Sequence, residues 1–319
     1  MIRNKLMAVA LLGLLASPGI AAAQHWPSRP IRMIVPFSAG GPTDLLGRYA
    51  AKELSKSLGQ PVVVENVLGA SGSIGLNRLA NSTPDGYTIG ITANTVQALA
   101  PHLSKLPYDT LKDFAGLGGL AGFPYALVTS INSPFHSVQD IIDRAKAAPG
   151  TVVAGSAGVG TGTALSIALL NQRAGVSFND VNYKGSGPVV QDIIGGNVDF
   201  TFDIIGTAVP MAKAGMVRVI ATTGPGRHRL LPDVPTVGET LAGYEFSAWY
   251  ALIGPAGMPP EVVQRLSDAI VAIQQSKETR SFLEERGYDP MVATSGQLDR
   301  KFQSEYQSWG EVVSHMKKE

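Results

Sequence analysis

The chain has 319 residues, of which 45% are hydrophobic and 16% charged, with a formal net charge of +1 and no cysteine. These proportions exclude a disordered chain, a coiled coil and a polycationic nucleic-acid-binding protein, and the length allows one large or two ordinary domains. The lack of cysteine excludes disulfide frameworks, thiolate zinc sites, a cysteine nucleophile and a lipid-bearing cysteine anchor.

Residues 1–23 are predicted to form a secretory signal peptide. Arg3 and Lys5 precede an apolar run at 6–15, and three alanines at 21–23 provide a small-residue cleavage motif. The alternative is a membrane anchor, but the apolar run is shorter than the roughly 20 residues that a spanning helix needs. We therefore expect cleavage near Ala23 and export to the periplasm of a Gram-negative bacterium.

Strand-like and helix-like stretches alternate in the first half of the remaining chain. Strands are predicted at 31–37, 61–67 and 87–92 and helices at 43–59 and 76–80, the first helix being capped by Thr43 or Asp44 and ended by Gly59. Glycine-rich turns follow the first two strands. This βαβαβ succession predicts a mostly parallel sheet covered by helices.

A second round of alternation begins after Pro124. A capping box at 137–140 opens a helix, and a glycine-rich loop at 155–163 joins a strand to another helix. Further strands are predicted at 125–129, 151–154, 178–183, 198–203 and 217–222, with helices at 164–174, 188–194 and from Pro259 onward. Two α/β lobes are the economical interpretation, and each has a strand, a glycine-rich loop and a helix in matching order.

The two matching loops indicate anion binding. A glycine-rich turn that leads into a helix leaves backbone N–H groups unpaired at the positive end of the helix dipole. Additional hydroxyl donors are predicted from Ser38, Thr43, Ser156, Thr161 and Thr163. For either loop alone, the glycines could merely permit a tight turn, whereas two loops in matching positions favour ligand binding.

Motifs of enzymes are incomplete in this chain. The segment 69–73 lacks the final glycine of a nucleophile elbow, and the glycine-rich segment 116–121 is followed by Phe123-Pro124 where a dinucleotide-binding motif needs a helix. The five histidines are scattered and are expected on the surface. Asp203 ends a strand and either faces a cleft or forms a structural salt bridge. We therefore predict neither catalysis nor a bound metal or cofactor.

Ordered motifs along nearly the whole mature chain resemble the tripartite tricarboxylate transporter substrate-binding proteins, the Bug family. The similarity lies in the blocks 27–32, 35–44, 64–66, 69–75, 84–88, 106–109, 111–115, 183–188, 195–199, 231–237 and 255–259. It implies an α/β fold of the two-lobed periplasmic binding-protein type (a type II-like flytrap), each lobe a mostly parallel sheet flanked by helices. Lobe 1 is expected to comprise residues 24–123 plus 249–319 and lobe 2 residues 124–248, with hinges near 123–125 and 247–249.

The resemblance also implies a function and a set of ligand-binding residues. The protein is expected to be a monomer that binds a small organic carboxylate and delivers it to permease subunits in the membrane, without nucleic acid, cofactor or metal. The expected binding residues are Phe37, Ser38, Gly40, Gly41, Thr43, Asp44, Asn94, Thr95, Ser156, Gly160, Thr161, Gly162, Thr163 and Asp203. Phe37, Tyr125 and Trp249 are candidate aromatic walls, although Trp249 could equally belong to the core.

Two departures from the family pattern bear on the ligand. Many members have Arg-Pro where this chain has Val67-Leu68, and a histidine often follows the second loop where this chain has 164–166 without one. A less polar pocket is therefore expected, one suited to a longer or aromatic carboxylate rather than citrate. Two alternatives stay open at this point, a ligand sensor for a signalling partner and an exported α/β hydrolase.

Overall fold

A computed structural model describes residues 26–183 and 185–316, so the predicted signal peptide lies outside the described residues. The strands are β1 (Ile31–Val35), β2 (Val62–Asn66), β3 (Thr88–Ala93), β4 (Phe114–Ser130), β5 (Val153–Ser156), β6 (Asn179–Asn182), β7 (Phe200–Ile204), β8 (Val217–Thr222), β9 (Ser247–Pro255) and β10 (Asp289–Pro290). The α-helices are α1 (Pro42–Leu58), α2 (Ser73–Ala80), α3 (Ala100–Leu103), α4 (Val138–Ala147), α5 (Gly162–Ala174), α6 (Ser186–Gly195), α7 (Ile205–Lys213), α8 (Val237–Thr240), α9 (Pro260–Gln275), α10 (Lys277–Glu284) and α11 (Ser295–Met316). A π-helix, Thr95–Leu99, precedes α3.

Helix α1 shows how the sequence sets the local structure. Its buried face follows the predicted spacing, and Gly59 ends it in the left-handed conformation with its N–H bonded to the Ser55 carbonyl at 3.1 Å. The predicted cap was wrong, because Gly41 is the N-cap residue and makes no side-chain capping bond. Pro42 occupies the first turn, where the missing N–H costs nothing, and this places Thr43 and Asp44 inside the helix.

The strands form one curled sheet in two segments. The first has the order β2-β1-β3-β9-β4 and the second continues β4-β7-β5-β6, with β8 also paired to β4. We call the elements around the first segment lobe 1 and those around the second lobe 2. Strand β1 is parallel to β2 and β3, and β5 is parallel to β6 and β7, but β4 and β9 run antiparallel to each other. The sheets are therefore mixed rather than mostly parallel, because β4 and β9 run antiparallel to the strands beside them.

Strand β4 belongs to both lobes. Residues 114–124 pair with β9 and residues 125–129 pair with β7, so the partner changes between Pro124 and Tyr125. This pairing supports the predicted hinge, while the lobe boundaries remain a prediction. Sequence patterns predicted only the second part of the strand. The structure shows that its glycine-rich first part is extended as well. An added Cβ at Gly119 would overlap the Met291 carbonyl oxygen, so glycine at this position permits the two backbones to approach closely.

Around the first sheet segment, the core lies on both faces of the sheet. Helices α1 and α9 cover one face with a large buried cluster, while α2 and α11 cover the other around Trp249 and Phe302. The prediction that all the histidines lie on the surface was wrong for His228, whose residue exposure is only 5%. Among the described residues, no helix has both the length and the apolar character needed to cross a membrane.

Candidate functional site

The first glycine-rich loop, between β1 and α1, is held in shape by Asp44. One carboxylate oxygen accepts the Gly40 N–H at 2.9 Å and the Arg48 Nε at 2.8 Å, and the other accepts the Asn66 amide at 2.9 Å. The same Asn66 amide donates to the Phe37 carbonyl at 2.9 Å. Asp44 is thus bonded to the loop and its neighbours, which makes it a positioning residue.

Ionised Asp44 is strongly favoured in this arrangement. Burial acts to raise its pKa, but the hydrogen bonds from Arg48, Gly40 and Asn66 outweigh that effect and lower it to about 2. The Arg48 guanidinium is paired with the Asp44 carboxylate and also donates to the Asn66 side-chain oxygen at 3.0 Å. The loop therefore presents backbone donors to its surroundings, without a free cation.

The second glycine-rich loop, between β5 and α5, is organised by its own hydroxyls. The Thr163 oxygen accepts the Ala157 N–H at 2.8 Å and lies 2.8 Å from the Thr161 oxygen, which in turn donates to the Gly158 carbonyl at 2.6 Å. Ser156 donates to the Asn182 side chain at 2.7 Å. In the structure the bonds of these hydroxyls fix the loop, and their predicted role as ligand donors stays a prediction.

Backbone N–H groups remain available on both loops. Within residues 26–183 and 185–316 they meet no acceptor, because they lie in the turns and in the first turns of α1 and α5. They belong to Ser38, Ala39 and Thr43 on the first loop and to Val159, Gly160, Gly162 and Thr163 on the second. Unpaired donors at helix N-termini favour an anionic ligand.

An aromatic cluster joins the two loops. Phe123 is the central ring, with centroid distances of 5.5 Å to Tyr125, 5.7 Å to Tyr250 and 5.3 Å to Tyr288. We call these four residues the aromatic bridge. Its ends lie against the loops, because the Tyr125 hydroxyl would overlap any Cβ added at Gly162, while the Thr43 side chain is close enough to the Tyr250 phenol to act on its pKa.

The phenols of the aromatic bridge are neutral. Burial raises the pKa of Tyr125, Tyr250 and Tyr288, and for Tyr250 the hydrogen bond with Thr43 acts in the opposite direction without cancelling the effect. They therefore keep their protons near neutral pH, and a neutral phenol can donate a hydrogen bond to a carboxylate.

Asp203 lies near the end of β7, beside the second loop. Its residue exposure is 4%, and its oxygens accept the Ile204 N–H at 2.9 Å and the Thr207 hydroxyl at 2.8 Å. Burial raises its pKa even though both hydrogen bonds act to lower it. Asp203 lines one small cavity together with Ala157 and Thr163. The predicted alternative of a salt bridge is not observed among the described residues.

Asn94 and Thr95 lie at the crossover rather than on a loop. The Asn94 amide donates to the Ser247 carbonyl at 3.2 Å, and its oxygen accepts the Thr95 N–H at 3.0 Å at the start of the π-helix. Asn94 lines a cavity of about 700 Å³ with Arg173 and Glu305, and neither glycine-rich loop reaches that cavity. A ligand contact by Asn94 and Thr95 stays a prediction.

Comparison with known proteins then decides the family. The model of the tripartite tricarboxylate transporter family receptor matches residues 46–317. The chain belongs to this receptor family. It is 36% identical to Protein BugT of Bordetella pertussis over 320 residues, covering 97% of each chain.

Solved structures of other receptors have the same fold. Rpa4515 of R. palustris, described with adipate, is 32% identical with a TM-score of 0.79 and covers 91% of this chain and 97% of its own. MatC of Rhodopseudomonas palustris, described with bound malate, is 31% identical with a TM-score of 0.76 and covers 90% and 99%. The two-lobed periplasmic binding-protein fold is thereby confirmed, as is the expectation of a receptor rather than an enzyme.

Sequence reasoning missed most of the receptor's aromatic bridge. Tyr250 and Tyr288 were not predicted, although the apolar run at 248–253 is a strand signal that would have placed Tyr250 on β9. Of the predicted walls, Tyr125 lies in the bridge. Trp249 is buried on the opposite face, where it stacks on Phe302 at 5.4 Å and donates to Glu305 at 2.8 Å. That position is core packing.

Proposed function

We propose that this receptor captures an organic carboxylate between its two glycine-rich loops in the periplasm and delivers it to the membrane permease of a tripartite tricarboxylate-type transporter. The observation that carries the proposal is the pair of loops with unpaired backbone N–H groups, placed at the two ends of one aromatic bridge. One carboxylate would bind each loop, or one group would lie between them.

The charges around the two loops suit an anion that is bound by backbone and helix dipoles rather than by a cationic side chain. Arg48 is engaged by Asp44, so an anion would be held by N–H groups, helix dipoles and phenols. Solved relatives described with adipate and malate support dicarboxylates as the ligand class. Phe37 beside Gly72 and the aromatic bridge supply apolar surface, which favours a longer or aromatic carboxylate over citrate.

Ligand capture would follow a shift between open and closed arrangements. The lobes are joined by the extended strands β4 and β9, and rotation about the Pro124 region would bring the loops onto opposite ends of the ligand. The permease would then recognise the closed shape of a monomeric receptor.

A thermal-shift titration tests the proposed ligand class. Adipate, malate and terephthalate are expected to raise the melting temperature in a concentration-dependent way, because only the folded state binds them, whereas the matching diamides should not. Equal shifts for acids and diamides would contradict carboxylate recognition.

A substitution in the second loop tests where the ligand binds. Thr163→Val keeps the side-chain volume but leaves the Ala157 N–H without its acceptor, so the loop should lose its shape. We expect adipate affinity, measured by calorimetry, to fall about tenfold, equivalent to about 1.4 kcal/mol. Thr151→Val, an exposed threonine outside both loops, is the control and should bind like the unaltered protein.

A further inference from the structure

The second glycine-rich loop has a neighbour in lobe 1 that the site described above does not include. Tyr125 of lobe 2 occupies the space beside Gly162. Beside Gly160 the neighbour is different, because a Cβ added there would lie 3.6 Å from Leu103 Cδ1. Leu103 is the last residue of α3, which belongs to lobe 1, so this contact joins the second loop to the opposite lobe.

Leu103 lies next to backbone donors that would hold a carboxylate. Among the described residues, the N–H groups of Val159, Gly160 and Gly162 meet no acceptor. The Leu103 side chain is at van der Waals distance from the position of a Cβ at the middle one of these three residues. A carboxylate bound to these N–H groups would therefore have Leu103 beside the carbon atoms that follow it.

Leu103 keeps free apolar surface in this position. Its residue exposure is 38% although it contacts the loop at Gly160. Apolar surface gains free energy when an apolar group removes it from water, in proportion to the area that is covered. The methylene groups of a carboxylate on the second loop would cover this surface, and a ligand with more of them would cover more of it.

Contacts with α11 fix the place of α3, and with it the place of Leu103. His102 Nε2 donates to the Tyr306 carbonyl at 2.8 Å, and the His102 and Tyr306 rings lie 4.3 Å apart. A Cβ added at Gly310 would lie 3.0 Å from His102 Cε1, so glycine lets α11 approach the imidazole closely. Leu103 is therefore presented by a helix that is anchored on lobe 1, which suits a residue that selects among ligands.

The contact of Leu103 depends on the arrangement of the lobes. Lobe 1 carries Leu103 and lobe 2 carries Gly160, and the lobes are joined through β4 and β9. Rotation of one lobe against the other changes the distance between the leucine and the loop. Leu103 therefore reaches the N–H donors only while the lobes are together, and its discrimination between ligands takes effect on closure.

We propose that Leu103 is a specificity-determining residue, which packs on the carbon chain of the carboxylate held by the second loop and favours apolar chains over short or hydroxylated ones. The inference rests on the proposed function, because it requires a carboxylate on that loop. It adds to the site a residue of lobe 1 that the expected set of binding residues did not contain. The favoured ligand is accordingly a carboxylate with a run of methylene groups next to the bound end.

Calorimetric titration with adipate and malate tests this assignment, since malate is shorter and carries a hydroxyl group. In Leu103→Ala we expect adipate affinity to fall about three- to tenfold and malate affinity to fall less than about twofold, because adipate has more methylene surface to lose contact with. Leu103→Met keeps an apolar side chain of similar volume and should restore the preference for adipate. Leu103→Asn keeps much of the size but is polar, and it should behave like Leu103→Ala.

Leu111→Ala is the matched control, because Leu111 is a leucine of lobe 1 with nearly the same exposure, 37%, outside the two loops and α3. It should bind both acids like the unaltered protein. An unchanged ratio of the two affinities in Leu103→Ala would overturn the proposal, and equal losses for both acids would assign Leu103 to lobe closure instead. An unaltered protein that binds neither acid would contradict the proposed function itself, so the two failures are distinguishable.

Discussion

At the scale of single residues, the loops depend on groups that do not need to touch a ligand. Asp44 and Thr163 each accept one N–H group of the loop backbone, from Gly40 at 2.9 Å and from Ala157 at 2.8 Å. Gly162 has no side chain, and this leaves room for the Tyr125 hydroxyl. The positions of the free N–H donors follow from these three residues.

Asp44→Asn is expected to lower the free energy of unfolding at pH 7 by about 1.5–3 kcal/mol, because charge-assisted bonds to Arg48 and Gly40 are lost. The pKa of Asp44 is lowered to about 2, so its contribution is present above about pH 4 and is lost as the pH falls toward 2. Urea unfolding at several pH values should show the two proteins converging in acid. A difference that persists at pH 2 would contradict this assignment, and Asp143→Asn, on the exposed side of α4, is the control.

Gly162→Ala is expected to destabilise the protein by about 1–3 kcal/mol, since the new methyl group overlaps the Tyr125 hydroxyl and must push the aromatic bridge away from the loop. Adipate binding should weaken as well. Gly187→Ala in α6 is the matched control, because its Cβ would enter open space. Unchanged stability of Gly162→Ala in denaturant titration would mean that the bridge does not constrain the loop.

At the scale of secondary-structure elements, helix starts carry both stability and function. Helix α4 begins with a complete capping box, in which Ser137 accepts the Asp140 N–H at 3.1 Å and Asp140 accepts the Ser137 N–H at 2.9 Å. Thr161, the N-cap residue of helix α5, accepts the Ala164 N–H at 3.4 Å, while the N–H groups of Val159 and Gly160 in the preceding loop meet no acceptor among the described residues. The N-terminus of α4 therefore contributes to stability, and the N-terminus of α5 leaves N–H donors for a ligand.

Ser137→Ala should therefore lower the free energy of unfolding by about 1 kcal/mol, the usual value of a capping side chain, while adipate affinity stays unchanged. Denaturant titration and calorimetry measure the two effects separately. Substitution of the exposed Ser57 by Ala is the control and should leave both quantities near those of the unaltered protein. A loss of affinity in Ser137→Ala would show that α4 is coupled to the site.

At the scale of the whole molecule, the lobes are linked by crossover strands and touch on two sides. The second loop reaches lobe 1 at Leu103, whose Cδ1 would lie 3.6 Å from a Cβ at Gly160, and the contact of Gly206 with Gly287 lies beside the crossover. The arrangement of the lobes therefore determines whether the two sets of N–H donors can act on one molecule.

A short thiol cross-linker between Val159→Cys and Leu103→Cys is expected to join the lobes of this otherwise cysteine-free chain. Both side chains are exposed, at 80% and 38%, and they flank the Gly160 contact. Adipate should speed the reaction by populating the closed arrangement, as measured by the mass shift with time. The pair Val159→Cys and Lys52→Cys is the control, and an equal rate with and without adipate would contradict closure on the ligand.

Much of the local structure was predictable because it depends on near neighbours in sequence. Strand β8 and the capping box of α4 matched their predictions, since side-chain periodicity and capping chemistry act within a few residues. The Asp44 bonds were not predictable in the same way, because Asn66 comes from the next strand. No strand was predicted over the glycines of β4, because the backbone and side chain that pack closely on them, Met291 and Ile270, are far away in the sequence.

The sequence by itself determined that the chain alternates strands and helices, that two glycine-rich loops precede helices, and that the family resemblance extends along the mature chain. Only the tertiary structure decided that Phe123 links the two loops, that Trp249 belongs to the core, and that His228 is buried against Asp289 of the other lobe. Such contacts join residues far apart in the chain, and no local pattern specifies them, because the crossing of β4 and β9 between the lobes sets their geometry.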